Sequence, residues 1–161
     1  MNIIAIDPSI NEIGVCVYIP DPAPAGYRVL TVKTQAGLPG QKLKEIRRDL
    51  FTVVPETKTI ALIEQPPAFT YNRSSKYSGK SLNQAAIQKL NWSFGVILEL
   101  MTECCDMVEL FLPNEYKGKM TVSLIQELVS HYPFVHKKLN EHESHAVYLC
   151  EWWRHRQKTG G

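Results

Sequence analysis

Two short apolar runs, each stopping at an acid and then proline, constrain this chain more than any other feature. The first is Ile3-Ile4-Ala5-Ile6-Asp7-Pro8, and the second is Ile60-Ala61-Leu62-Ile63-Glu64-Gln65-Pro66. Runs of this length, rich in β-branched residues, read as buried strands, and proline does not carry a central strand forward. Each carboxylate therefore stands where a strand ends. The apolar residues before it lock its backbone into a sheet, and ligands mounted on such elements are held rigidly. Taken alone, Asp7 has a plainer explanation as a turn-forming acid beside a proline. The second acid in the same setting argues against it and places two carboxylates at one edge of one sheet.

The rest of the chain supplies the partners of these strands. Residues 12–19 read as a second strand, the proline-rich stretch 20–26 as a turn, and residues 28–34 as a third strand, so short connections predict an antiparallel meander. Leu43, Ile46, Leu50 and Val54 recur at helical spacing, which predicts a surface helix over residues 39–54 that crosses to the strand ending at Glu64. A connection of that length fits a parallel β-α-β unit. Ser81-Leu82-Asn83-Gln84 resembles a capping box opening a long helix to about residue 102, with Leu82, Ala86, Lys89 or Leu90, Ser93, Ile97 and Leu100 or Met101 on its inner side and Trp92 packed. Residues 106–112 read as a fifth strand. A short helix over residues 121–132 is expected to turn Leu124, Ile125 and Leu128 inward, and a closing helix begins at Asn140, its candidate cap.

Candidate binding residues fall in three places. Residues 65–98 hold no Asp or Glu, yet carry Arg73, Lys76, Lys80 and Lys89 among Phe69, Tyr71, Tyr77, Trp92 and Phe94. Cations and aromatics interleaved in this way can meet phosphates and unstacked bases, although a solvated loop gives the same composition. Lys117 and Lys119 flank Gly118 just after the fifth strand, where ligands gather in open α/β sheets; ordinary surface lysines are the alternative. In the closing helix His142 and His145 are three apart and Glu141 and His145 four apart, so each pair shares a face within one turn. First-turn acids that favour the helix dipole, with half-exposed histidines, are the alternative there.

Composition sets the outer bounds. The 161 residues are 44% hydrophobic and 21% charged, enough for one globular domain over the whole chain. A formal net charge of +2 neither demands nor excludes a polyanionic partner, so charge distribution has to decide. Cys16, Cys104, Cys105 and Cys150 show no CxxC spacing and read as reduced thiols. With no apolar stretch of transmembrane length, the expectation is a soluble protein without a membrane partner.

This order of elements and motifs resembles the RuvC-type Holliday-junction resolvases of the ribonuclease H-like superfamily, over nearly the whole chain. The resemblance rests on Asp7, Pro8 and Gly14, on Glu64-Gln65 followed by a junction-contacting loop and helix, on Tyr116-Lys117-Gly118-Lys119, and on His142-Glu143-Ser144-His145-Ala146. It implies an α/β, ribonuclease H-like fold: a five-stranded mixed sheet, with an antiparallel meander of strands 1–3 and then parallel strands 4 and 5, flanked by helices. It implies catalytic roles for Asp7, Glu64, His142, His145 and Lys117, with Asp7, Glu64, His142, Glu143 and His145 as metal ligands. The cofactor implied is Mg²⁺ or Mn²⁺, two ions per site about 4 Å apart. Arg73, Lys76, Lys80, Lys89, Lys117 and Lys119 would contact DNA. The implied substrate is a four-way junction cut by a homodimer in the bacterial cytoplasm or a phage-infected cell. One position departs from the pattern: His145 stands where the family has a metal-binding Asp. A neutral imidazole removes one negative charge, so either a neighbouring Glu supplies an oxygen, or the site prefers Mn²⁺, or catalysis is impaired while junction binding survives. Another ribonuclease H-like nuclease, acting on branched or RNA-containing substrates, would share the same acids.

Overall fold

The computed structural model describes residues 1–20, 26–35, 37–66 and 84–159. Its five strands are β1 (Asn2–Asp7), β2 (Glu12–Ile19), β3 (Gly26–Lys33), β4 (Thr59–Glu64) and β5 (Met107–Phe111). They form one sheet in the order β3-β2-β1-β4-β5. Strand β1 pairs antiparallel with β2 and parallel with β4, while β2–β3 is antiparallel and β4–β5 parallel. The expected mixed sheet is therefore present. The parallel register, Ile6 opposite Ile63, brings the two acid-tipped strands side by side and ends them together.

Helices cover both faces of the sheet. Helix α1 (Pro39–Phe51) begins with proline in its first turn, where the missing N–H costs nothing, and buries Ile46 and Leu50. It packs on α2 (Gln84–Cys104), which buries Ser93, Ile97, Leu100 and Met101. The Ser81 capping box lies outside the described residues. On the other face α5 (Glu141–Thr159) crosses β1 and β2, with α4 (Val122–Ser130) packed on α5 and a single turn, α3 (Pro113–Tyr116), after β5.

Alternation along the strands sorts the core. Ile4, Ile6, Val15 and Ile63 face α1 and α2, whereas Ile3, Ala5, Cys16, Ile60 and Leu62 face α5. Two expectations about packing fail. Trp92 is 42% exposed, because its neighbour Ser93, one helical step away, takes the inward position. In α4 Ile125 is buried as expected, but its buried companion is Val129, and Leu124 and Leu128 are exposed.

Candidate metal centre

The period of two that sorts the core also aims the acids. Asp7 follows Ile3 and Ala5 onto the α5 face, and Glu64 follows Ile60 and Leu62 there. The first turn of α5 arrives over the same edge, held by an Asn140–Glu143 capping box. Its Asn140 Oδ1 accepts the Glu143 N–H at 2.8 Å, and the Glu143 carboxylate accepts the Asn140 N–H at 3.1 Å. Gly14, opposite Asp7 in the β1–β2 ladder, permits this approach. A Cβ there would lie 2.0 Å from the His142 carbonyl oxygen.

His142 and His145 extend the buried stripe of Ala146, Leu149 and Cys150 past the end of the sheet, and both rings reach Asp7. His142 Nδ1 donates to Asp7 Oδ2 at 2.8 Å, and His145 Nδ1 lies 3.3 Å from the same oxygen. From the opposite side, the α3 turn presents Tyr116 and Lys117 to Glu64. Lys117 Nζ is 2.7 Å from Glu64 Oε2 and 2.9 Å from His145 Nδ1, and the buried Tyr116 hydroxyl donates to the same Glu64 oxygen.

The two carboxylates respond differently to this setting. Burial would push Asp7 up, but hydrogen bonds from both histidines and the nearby Lys117 charge outweigh it and hold the carboxyl at about 2. Glu64 moves up instead, because burial and the Asp7 charge together exceed the help it receives from Lys117 and Tyr116. His142 is raised chiefly by its hydrogen bond to Asp7. Tyr116 is pushed far up by burial and stays a neutral donor.

One ligand atom each from Asp7, Glu64 and His145 lies within 4.8 Å of the others, which suits a divalent cation. The buried His145 Nε2 has no hydrogen-bond partner among the described residues. Such a group costs about 1–3 kcal/mol and calls for a functional reason. Two hard carboxylates with a borderline imidazole fit Mn²⁺ better than an all-oxygen Mg²⁺ site.

Of the residues singled out in the sequence, Asp7, Glu64, His142, His145 and Lys117 come together. Glu143 does not join them, since its carboxylate is taken by the helix cap and by Lys137 at 2.8 Å. Lys119 is exposed beyond Gly118, and Lys89 is exposed on α2 away from the cluster. Arg73, Lys76 and Lys80 lie outside the described residues. Tyr116 was missed as a partner of Glu64. Its signal was its place beside Lys117, in a segment read only for its lysines.

No family model and no curated protein matches the chain. Solved structures do. The structure of Thermus thermophilus RuvC superposes with a TM-score of 0.69 at 18% identity, covering 99% of this chain and 97% of that one. The chain has the ribonuclease H-like fold of RuvC. The RuvC of the same organism in complex with a Holliday junction substrate gives a TM-score of 0.67 at 16% identity over 99% and 97% of the two chains. The yeast mitochondrial Holliday junction resolvase Ydc2 gives 0.53 at 11% identity over 94% of this chain and 78% of that one. The RuvC fold thus extends over nearly all of the chain, and among the described residues no helix is long and apolar enough to cross a membrane.

Proposed function

We propose that this chain is a structure-selective endonuclease that resolves four-way DNA junctions by metal-dependent phosphodiester hydrolysis, as a homodimer making paired symmetrical nicks. The observation that carries this reading is the buried Asp7–Glu64–His145 cluster at the joined ends of β1 and β4 in a RuvC fold. Asp7, Glu64 and His145 would hold Mg²⁺ or Mn²⁺, two ions per site. Held by these residues, a divalent ion would supply Lewis acidity toward the scissile phosphate and toward a water nucleophile.

The protein's own groups divide the remaining work. The two histidines keep Asp7 charged, because their hydrogen bonds favour the carboxylate. Tyr116 orients Glu64, fixing one oxygen and leaving the other to a ligand. Lys117 supplies a positive charge beside both Glu64 and His145, placed to balance the charge that builds on a phosphate under attack. A four-way junction is nearly two-fold symmetric, so paired incisions need a second copy related by a two-fold axis.

The test is a labelled immobile four-way junction with linear duplex and RNA–DNA hybrid controls, incubated in Mg²⁺, Mn²⁺ or EDTA. Symmetrical nicking of the junction alone, absent in EDTA, supports the reading. Cutting of the hybrid instead would move the chain to another ribonuclease H-like activity. A second reading, junction binding with impaired catalysis, draws on His145, whose imidazole brings no negative charge to the cluster. Tight binding with no product in either metal, and cleavage gained in His145→Asp, would establish it.

A further inference from the structure

On the opposite side of the sheet edge from the metal cluster, an open groove with a cavity volume of about 90 Å³ lies between the β1–β2 turn, α1 and α2. Ile10, Pro39 and Leu43 form apolar walls, Trp92 stands beside them 42% exposed, and Lys42 and Lys89 also line the groove. No acid lines it among the described residues. Lys42 Nζ donates to the neutral Asn11 Oδ1 at 3.0 Å and forms no ion pair among the described residues, and Lys89 is exposed. Ile10 is three residues past Asp7, which limits the span between them to about 11 Å. That is about three steps of a stacked nucleic-acid strand.

We propose that this groove is a nucleotide subsite. It takes one unstacked nucleotide of the strand engaged at the metal cluster, with the base against Trp92 and the flanking phosphates near Lys42 and Lys89. The proposal rests on the nuclease reading and deepens it by naming a second place where the strand is held. Charge selects this occupant. A second copy seated here across a two-fold axis would oppose the same cationic surface to itself, with no acid in the groove to offset Lys42 and Lys89. A π-face flanked by cations suits any base, because every base can stack and every nucleotide carries a phosphate. A branch point supplies unstacked bases at low cost, since pairing there is already interrupted.

The experiment measures equilibrium binding of the full chain, in EDTA, to a fluorescein-labelled four-way junction and to a short oligo-dT across a range of salt. Trp92→Ala should weaken both by about tenfold, the scale of losing one stacked base, while Trp92→Phe should keep most of the affinity. Lys42→Ala and Lys89→Ala should each lower the slope of log affinity against log salt by about 1. Wild-type affinity in Trp92→Ala overturns the subsite. So does a Trp92→Ala protein that sediments as monomer where the wild type sediments as dimer, which would make the groove a seat for a second copy. A wild type that binds no nucleic acid removes the nuclease reading and the subsite together. Junction binding indifferent to Trp92 removes the subsite alone.

Discussion

On the face covered by α1 and α2, the strands contribute Ile4, Ile6, Val15 and Ile63, and the helices answer with Ile46, Leu50, Ile97, Leu100 and Met101. On the face covered by α5, the same strands contribute Ile3, Ala5, Ile60 and Leu62, yet the helix also buries Glu143, Ser144, His145 and Glu151. Buried polar groups are tolerated when hydrogen-bonded. Glu143 is satisfied by its cap, the Ser144 hydroxyl donates to the Asn140 carbonyl at 2.7 Å, and Glu151 accepts from Arg154 at 2.6 Å. His145 is the exception, with one ring nitrogen unpaired. One face carries stability in hydrocarbon, and the other gives up some of it to hold a charged site together.

The largest effect should come from the charged face. Asp7→Asn keeps the shape of the side chain but removes its charge, and junction cleavage should fall by more than about 1,000-fold, the upper scale for losing one electrostatic group at a reacting centre. A circular-dichroism melt of the same variant should stay cooperative. Survival of cleavage would mean that Asp7 only shapes the turn.

Next come paired tests of the two faces. Leu50→Ala opens a cavity under α1 and should cost about 2–5 kcal/mol in denaturant unfolding, with Mn²⁺ affinity by titration unchanged. Gly14→Ala pushes a methyl group into the His142 carbonyl and should cost about 1–3 kcal/mol, with Mn²⁺ affinity reduced as well, because α5 must back away from Asp7. Equal effects on Mn²⁺ affinity from both variants would abolish the distinction between the faces.

Titration sharpens the comparison further. Asp7 is held at about 2 against an ordinary 3.8, so it contributes about 2 kcal/mol above pH 4, and this is lost as pH falls towards 2. His142 is shifted the other way. Its contribution is full below its ordinary 6.5 and is lost as pH rises through the raised value. Unfolding of the metal-free protein followed across pH should therefore show two shoulders that both flatten in Asp7→Asn, since the Asp7 charge underlies both shifts, and that persist in Leu50→Ala. The smallest effect belongs to α4. Leu124→Ala should change stability by less than about 0.5 kcal/mol, because the residue is half exposed.

Much of this arrangement was legible in local sequence. The two strand-acid-proline runs placed Asp7 and Glu64 at one edge, the turn chemistry marked the meander, and the crossover length made β4 parallel to β1. The three-residue spacing of His142 and His145 put both on one side of the closing helix. These are properties of backbone period and proline geometry, which a chain carries before it folds.

Other features depended on which surfaces meet. Periodicity on α4 offered Leu124, Ile125 and Leu128, and packing against α5 kept Ile125, added Val129 and left the two leucines exposed. On α2 the periodicity already set Ser93 inward, and only the packed structure left Trp92 exposed. Tyr116 meets Glu64 across 52 positions of sequence, and Gly14 meets the His142 backbone through a close approach of β2 and α5. Local sequence determined the face each residue shares with its neighbours along an element. The tertiary structure decided which faces are covered and which groups meet, because both depend on how distant elements pack.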